Sequence, residues 1–443
     1  MPYTPHTDAD VAAMLKTIGA DSIDDLFVEI PDELRLKGPL NIPSALDEYR
    51  LAKTLGDLAS RNLNLADTTC FLGAGIYDRF IPATVGAVIS RGEFLTAYTP
   101  YQPEVSQGYL QTIYEFQSMV AELYDCDLAN ASMYDGPTSL AEAAIMACQI
   151  TGRSRVVVSQ GVHPHARQVL HTYCWALGIE VVEAPLTEGA AEDFSSLTDS
   201  SACLLVQQPN FFGVIEDIPA ARAACDARGA MLVVSADPTA CAVIPGPGGQ
   251  GADVVTGEGQ PLGIPMGLGG PMLGLFACRK ELVRQIPGRI VGRTTDAQGR
   301  LGYTMTLRTR EQDIRREKAT SNICTNEALM ALAATVYLAT LGRNGMMSVA
   351  ESSVRNAQYA MGRLAESGAS LRFPDRKVFC EFVVDLPRPA TEVRDRLLDK
   401  GILAGLPLGP YGAGLENSLL VAVTELRTRE EIDRLADEIK AAL

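Results

Sequence analysis

Between residues 128 and 277 short Val- and Leu-rich runs alternate with helical patterns, and this alternation limits the chain's possible folds more than any other feature. The runs are Leu128 to Ser132, Arg155 to Ser159, Glu180 to Ala184, Cys203 to Gln207, Met231 to Ser235, Asp253 to Val255 and Met272 to Ala277. They lack the polar–apolar alternation of a half-solvated strand, so both faces must be covered. Helical patterns at Ser139 to Ile150, Ala166 to Leu177 and Ala220 to Arg228 supply that cover. The economical fold is α/β, with a seven-stranded, mostly parallel sheet between helices.

The flanks read differently. Thr7 and Asp10 have the spacing of a capping box, Val11 to Ile18 carries an apolar face, and Gly19 suits a helix stop. A second helix is expected from about Ser44, with Leu46, Tyr49, Ala52, Leu55 and Leu58 on one face that must bury against something. After residue 315 a smaller α/β pattern follows. It has helices at 327–338, 345–367 and 391–400, strands at Val378 to Val384 and Ser418 to Val423, and a closing helix. A chain of 443 residues exceeds one compact core. Three parts are expected: a helical arm (1–65) wrapping a body or a partner, a large domain (66–315) and a small C-terminal α/β domain (316–443).

The formal charge of −16 has the wrong sign for a protein that binds by neutralising phosphates, which argues against nucleic acid as a partner. No apolar stretch approaches the ~20 residues of a membrane span, and MPYTPHTDAD has no signal-like pattern, so a cytoplasmic protein is expected. The ten cysteines are scattered singly, as small buried apolar residues would be. His163, His165 and His171 have no matching carboxylate or cysteine set, so no metal site is expected. Trp175 reads as core. Only eight of the 38 basic residues are lysines, and none lies between Lys53 and Lys280.

In open α/β sheets ligands gather at the carboxyl ends of strands. There the sequence offers Asp135-Gly136-Pro137-Thr138-Ser139 opening a helix, which could turn amide groups toward a phosphate. It also offers His163 where a ring-stacking residue could sit, and Asp237 where a carboxylate could meet a protonated ring nitrogen. That set suits a pyridoxal-phosphate (PLP) enzyme of the aspartate-aminotransferase-like fold, fold type I. Such an enzyme needs a lysine, because arginine stays charged and cannot replace it. The turn where it belongs reads Thr256-Gly257-Glu258-Gly259-Gln260-Pro261-Leu262. Lys280 and Lys318 sit in polar, solvated contexts, and Pro137 removes one amide donor from the helix start.

Three long strings carry a family resemblance: Ala97-Tyr98-Thr99-Pro100-Tyr101-Gln102-Pro103-Glu104-Val105-Ser106-Gln107-Gly108, Asn130-Ala131-Ser132-Met133-Tyr134-Asp135-Gly136 and Lys318-Ala319-Thr320-Ser321-Asn322-Ile323-Cys324-Thr325. With Gly288-Arg289-Ile290-Val291-Gly292 they resemble the glycine-cleavage-system P-protein, glycine dehydrogenase (decarboxylating). The likeness is to its N-terminal half, which in many prokaryotes is a separate subunit 1, or α chain. The resemblance implies a homologous β chain, subunit 2, that holds PLP on its lysine, in an α2β2 assembly. Gln260 and Pro261 would stand where β chains carry histidine and lysine. The complex would decarboxylate glycine and pass the aminomethyl group to the lipoyl arm of H-protein.

Active sites of this fold take residues from both subunits, so the resemblance also gives this chain a part in its partner's site. Pro100 and Pro103 restrict Thr99 and Gln102 to extended backbone, making a stiff presenter of side chains. Tyr98, Tyr101 and Gln102 are expected to line the partner's pocket. Thr320, Asn322 and Thr325, just before a helix, are expected to reach the cofactor phosphate across the interface. The competing readings are a rigid interface loop and ordinary helix capping. For the whole chain the alternative is a regulatory or structural pseudo-enzyme of the same fold.

Overall fold

The computed structural model describes residues 5–443. These fall into two units, divided between Leu63 and Asn64. In the first, Thr7 and Asp10 form the reciprocal capping box that starts the helix Asp8–Ile18, and Gly19 closes it at φ 77°. Asp47 caps the helix Glu48–Ala59 through the Arg50 amide. Neither helix buries a residue; Leu46, Tyr49, Leu55 and Leu58 all remain exposed.

The second unit is built on the expected seven-stranded sheet. Its strands are β1 Leu128–Ala129, β2 Arg155–Ser159, β3 Glu180–Ala184, β4 Ser201–Gln208, β5 Met231–Ala236, β6 Val254–Glu258 and β7 Gly274–Cys278. Their spatial order is β1-β7-β6-β5-β4-β2-β3. The four pairings from β6 to β3 are parallel, while β7 runs antiparallel to both β6 and β1. The Val and Leu runs are buried on both faces, one core holding Leu204, Val234 and Val255 and another Val156, Leu205 and Val233. The Ala-rich helix Gly136–Thr151 buries every residue from Thr138 to Cys148, Glu142 included.

The smaller sheet is antiparallel, in the order Ser370–Leu371, Glu381–Asp385, Ser418–Ala422, Leu406–Pro407. The two helical runs expected at 327–338 and 345–367 join as Ala328–Glu366 across a kink at Gly342 (φ 57°). Its first half enters the large-sheet core through Ala331, Ala334 and Tyr337, and its second packs Ala357, Ala360 and Leu364 on the small sheet. Two features go beyond the sequence reading. Ile290–Thr295 and Leu301–Thr306 form an antiparallel hairpin. Thr69–Cys70 pairs in parallel with Ile402–Leu403, so the chain that follows starts from the small sheet's side. Among the described residues no helix is long and apolar enough to cross a membrane.

Candidate functional site

The carboxyl ends of β2, β4, β5 and β6 open into a cavity of about 470 Å³, closed on its other side by residues 72–77 and by Phe379, Glu381 and Tyr411. Asp135, His163 and Asp237, the residues singled out from the sequence, all line it, so the sheet brings them together as expected. Each is already engaged within the chain.

The amide-rich end comes first. Asp135 caps the Gly136–Thr151 helix by accepting from the Thr138 amide at 2.7 Å, and the Ser139 amide donates to the Asp135 carbonyl. The remaining first-turn donor, Gly136 N–H, lies 2.9 Å from Glu258 Oε2. Glu258 Oε1 accepts from the amides of Gln260 and Leu273, both at 3.0 Å. Glu258, at the end of β6, thus puts its carboxylate where the helix N-terminus would greet a phosphate. Burial pushes this carboxyl up to about 7, against the pull of its three amide donors.

The other contacts follow the same pattern. Asp237 Oδ1 accepts from the amides of Thr239 (2.7 Å) and Ala240 (3.3 Å), and Oδ2 lies 3.8 Å from the buried Arg79 guanidinium. Arg79 also pairs with Glu425 at 2.8 Å. His163 Nδ1 accepts from the His165 amide at 3.1 Å, which leaves Nε2 to donate to the Ala74 carbonyl at 3.0 Å. Burial lowers its pKa to about 4, so the ring is neutral. His171 faces Glu183 instead, and among the described residues no three His, Cys, Asp or Glu side chains converge as metal ligands would.

At the turn expected to hold a lysine, Pro261 lines the cavity and Gln260 is buried. Gln260 Oε1 accepts from the Tyr77 amide at 2.9 Å, while its Nε2 donates to the carbonyls of Tyr77 (3.1 Å) and Ile264 (2.8 Å). Tyr77 in turn donates its hydroxyl to Glu381 Oε2 at 2.9 Å. Burial pushes Glu381 up to about 7. No lysine is among the lining residues, and Lys280 and Lys318 are exposed. The residues present do not fit PLP: its phosphate end is filled by Glu258, its ring-nitrogen carboxylate is held by Arg79 and two amides, and the amine is absent.

The six residues expected to serve a partner's pocket lie off this cavity. Tyr98 is 93% exposed. Tyr101 is half-buried, stacked under the Arg289 guanidinium at 4.4 Å, and donates its hydroxyl to Asn326 Oδ1. Burial pushes that hydroxyl up to about 12. Gln102 is exposed, its carbonyl accepting from Val105 and Ser106 in a turn. Thr320 bonds the Arg310 carbonyl through its amide and hydroxyl, while Asn322 and Thr325 are exposed. Asn326, which the sequence reading passed over, ties the two segments: its Nδ2 donates to the Ala131 carbonyl at 2.6 Å while Oδ1 takes the Tyr101 proton. Tyr101 and the 320–325 segment therefore meet in one patch.

Two further departures stand out. Trp175, expected in the core, is 83% exposed near the end of the helix Pro164–Ala176, because that helix buries its Ala166, Leu170 and Cys174 face instead. Glu258 was seen in the sequence without a role. A helix start that has lost its anionic ligand must find another acceptor, and that requirement was the available signal.

A family model described as glycine cleavage system P-protein matches residues 1–439. A protein of Brevibacillus brevis named probable glycine dehydrogenase (decarboxylating) subunit 1 is 49% identical over 443 residues, covering 99% of this chain and 98% of the relative. A protein of the same name from Halalkalibacterium halodurans is 50% identical over 440 residues, with the same coverage. Among solved structures, a crystal structure of glycine decarboxylase (P-protein) of the glycine cleavage system, in inhibitor-bound form, matches with a TM-score of 0.92 and 44% identity over 100% of both chains. A sphingosine-1-phosphate lyase from Burkholderia pseudomallei, 16% identical, matches at 0.67 over 91% of this chain and 92% of its own. That similarity shows the fold alone, the PLP-dependent fold type I expected from the sequence.

Proposed function

The chain belongs to the glycine cleavage system P-protein family, and from that premise we propose that it is the subunit of a two-chain glycine decarboxylase that does not anchor the cofactor. The observation that carries this reading is the Glu258 carboxylate held by the Gly136, Gln260 and Leu273 amides, beside a proline where the amine belongs. A homologous subunit 2 holds PLP on its lysine, and the two chains form α2β2. The bound cofactor supplies the electron sink for decarboxylation. This chain supplies one wall of its partner's pocket: Tyr98, Tyr101 and Gln102 orient glycine or the incoming lipoyl arm of H-protein. Thr320, Asn322 and Thr325 reach the cofactor phosphate across the interface. The Tyr101–Asn326 bond supports the assignment, since it fixes both segments in one geometry before any partner arrives.

Reconstitution with subunit 2 tests the reading. Tyr98→Phe and Tyr101→Phe are expected to lower turnover at least ~10-fold with assembly intact, as loss of positioned hydroxyls does. Unchanged turnover in a fully assembled complex would favour the pseudo-enzyme, a scaffold without catalytic contribution.

A further inference from the structure

The cavity at the carboxyl ends of the large sheet is held open by its own side chains. Its wall at residues 72–77 is fixed at three points. Glu381 Oε1 accepts from the Ala74 amide at 2.6 Å, the Ala74 carbonyl accepts from His163 Nε2 at 3.0 Å, and Gln260 bonds both backbone groups of Tyr77. Interiors leave few voids larger than a water, because unfilled volume forfeits contacts. Here the wall keeps about 470 Å³ clear, within the ~300–1,000 Å³ range of small-molecule sites. A preformed site asks little ordering of itself when a ligand enters.

Charge decides what can enter. Asp135, Asp237, Glu258 and Glu381 line the cavity, and no lysine or arginine does. Two of the four are provided for: Asp237 has the Arg79 guanidinium 3.8 Å away, and Glu381 accepts from the Ala74 amide and the Tyr77 hydroxyl. Asp135 and Glu258 have no cation among the described residues, and Asp135 Oδ2 has no partner at all there. The helix start beside them is fully engaged. Its Gly136 amide donates to Glu258, its Thr138 and Ser139 amides to Asp135, and Pro137 has none to give. Two carboxyl groups therefore face a helix end worth about half a positive charge. Burial pushes Glu258 up to about 7, and Asp135 adds to the rise, as happens where negative charge exceeds its compensation. A phosphate or a carboxylate finds neither a free amide nor a cation here.

We propose that this cavity binds a small organic cation that carries no phosphate or carboxylate, its ammonium meeting Asp135 and Glu258 and its apolar body lying against the rest of the lining. That lining includes Ile76, Met272, Phe379 and Tyr411, which suit a ring-sized hydrocarbon. The ammonium supplies the charge that the two carboxyl groups lack, and it brings N–H donors to Asp135 Oδ2. Glycine is excluded, because its carboxylate would have no partner. The site is formed by this chain's own residues, so it stands apart from how Tyr98 and Tyr101 serve a partner.

Calorimetric titration of the full-length chain with benzylamine is the test, with benzyl alcohol, benzoate, glycine and inorganic phosphate as comparators. One benzylamine per chain is expected, with a Kd below ~1 mM. It should bind at least ~10-fold more tightly than benzyl alcohol, the increment of one contact to a charged group. Benzoate, glycine and phosphate should give no binding heat. Asp135→Asn removes the charge and keeps a good helix cap. It should weaken benzylamine at least ~10-fold while benzyl alcohol and the melting temperature hold steady. Asp237→Asn should leave benzylamine nearly unchanged, because that carboxylate already has Arg79. Ser235 lines the cavity and its hydroxyl bonds nothing among the described residues, so Ser235→Leu fills the space without breaking a hydrogen bond and should abolish binding. The proposal is overturned by benzylamine that does not bind, that binds no better than benzyl alcohol, or that still binds Ser235→Leu. A loss confined to Asp237→Asn would also overturn it, by placing the ammonium at the other carboxylate. Neither turnover nor a partner chain enters the measurement, so failure of the two-chain reading leaves its outcome intact.

Discussion

Replacing Glu258 should expose what its carboxylate does. It accepts from three amides, Gly136, Gln260 and Leu273, at 2.9, 3.0 and 3.0 Å, and among the described residues no other side chain takes them. Glu258→Ala leaves three donors short at the wall of the cavity. Each buried unsatisfied donor costs ~1–3 kcal/mol, and water entering from the cavity recovers part of it, so a loss of about 3–5 kcal/mol is expected. Glu258→Gln keeps one carbonyl oxygen but turns an NH2 toward one of the donors, costing about 1–3 kcal/mol near pH 5. The pH dependence has a definite sign. Burial raises this carboxyl from 4.5 to about 7, so in that interval the folded state holds a proton the unfolded chain has released. Wild-type stability therefore falls, by up to about 3 kcal/mol, as pH rises through the window. The glutamine variant does not lose that amount, and its deficit should narrow from about pH 5 to about pH 8. Urea unfolding at both pH values measures it. Inorganic phosphate should raise the melting temperature of Glu258→Ala, whose amide cup is open, and leave the wild type unmoved. A deficit that widens with pH, or a wild type stabilised by phosphate, would refute the account.

Other outcomes follow from the same geometry. Gln260→His with Pro261→Lys restores an amine at the turn but leaves the phosphate end filled; the isolated variant is expected to retain no PLP after borohydride treatment, as read by mass spectrometry. Stoichiometric retention would show that the cup is open. Arg79→Met removes a buried cation from Glu425 and Asp237, and urea unfolding should record a loss of ~3–5 kcal/mol. Trp175, the single tryptophan and 83% exposed, should be freely quenched by acrylamide in the isolated chain. Trp175→Phe should alter stability by less than ~0.5 kcal/mol.

What was legible in the sequence was whatever burial imposes locally. β4 and β5 must be apolar on both faces, so Leu204, Leu205, Val233 and Val234 declare them without alternation. Helix ends fixed by local residues, such as the Thr7–Asp10 box and Gly19, could be read as well. The hairpin could not. Its strand Ile290–Thr295 is only partly buried and its partner half-buried, and it is held partly by Gln107, whose side chain bonds both polar groups of the Tyr303 backbone from far along the chain. Periodicity carries no trace of such a contact. Trp175 misled for a related reason: a large aromatic on a helix is usually core, but the inward face here was already taken by Ala166, Leu170 and Cys174. In the candidate site, Asp135, His163 and Asp237 were found because strand ends place them. Glu258 and Arg79 were not, because what they neutralise comes from other segments.

Those two residues explain why losing an amine goes with losing the rest of the site. A helix N-terminus, a strand-end carboxylate and an open turn are each unfavourable when buried without a partner. Here Glu258 serves the first, Arg79 the second, and Gln260, bonded twice to the Tyr77 backbone, the third. Glu258 and Gln260 come from one turn and Arg79 from far along the chain, and each removes one contact a bound cofactor would have made. Restoring any single contact therefore leaves two that compete with the ligand. Costs at separate contacts add only when they share no partner. Asp237 and Glu258 share none in this chain, so reversals at the two ends should combine additively in stability. Gln260 is the exception, since its amide donates to Glu258 Oε1 while its side chain holds residue 77. Paired substitution of Gln260 and Glu258 should therefore cost less than the sum of the single losses, whereas pairing Arg79 with Glu258 should give the sum.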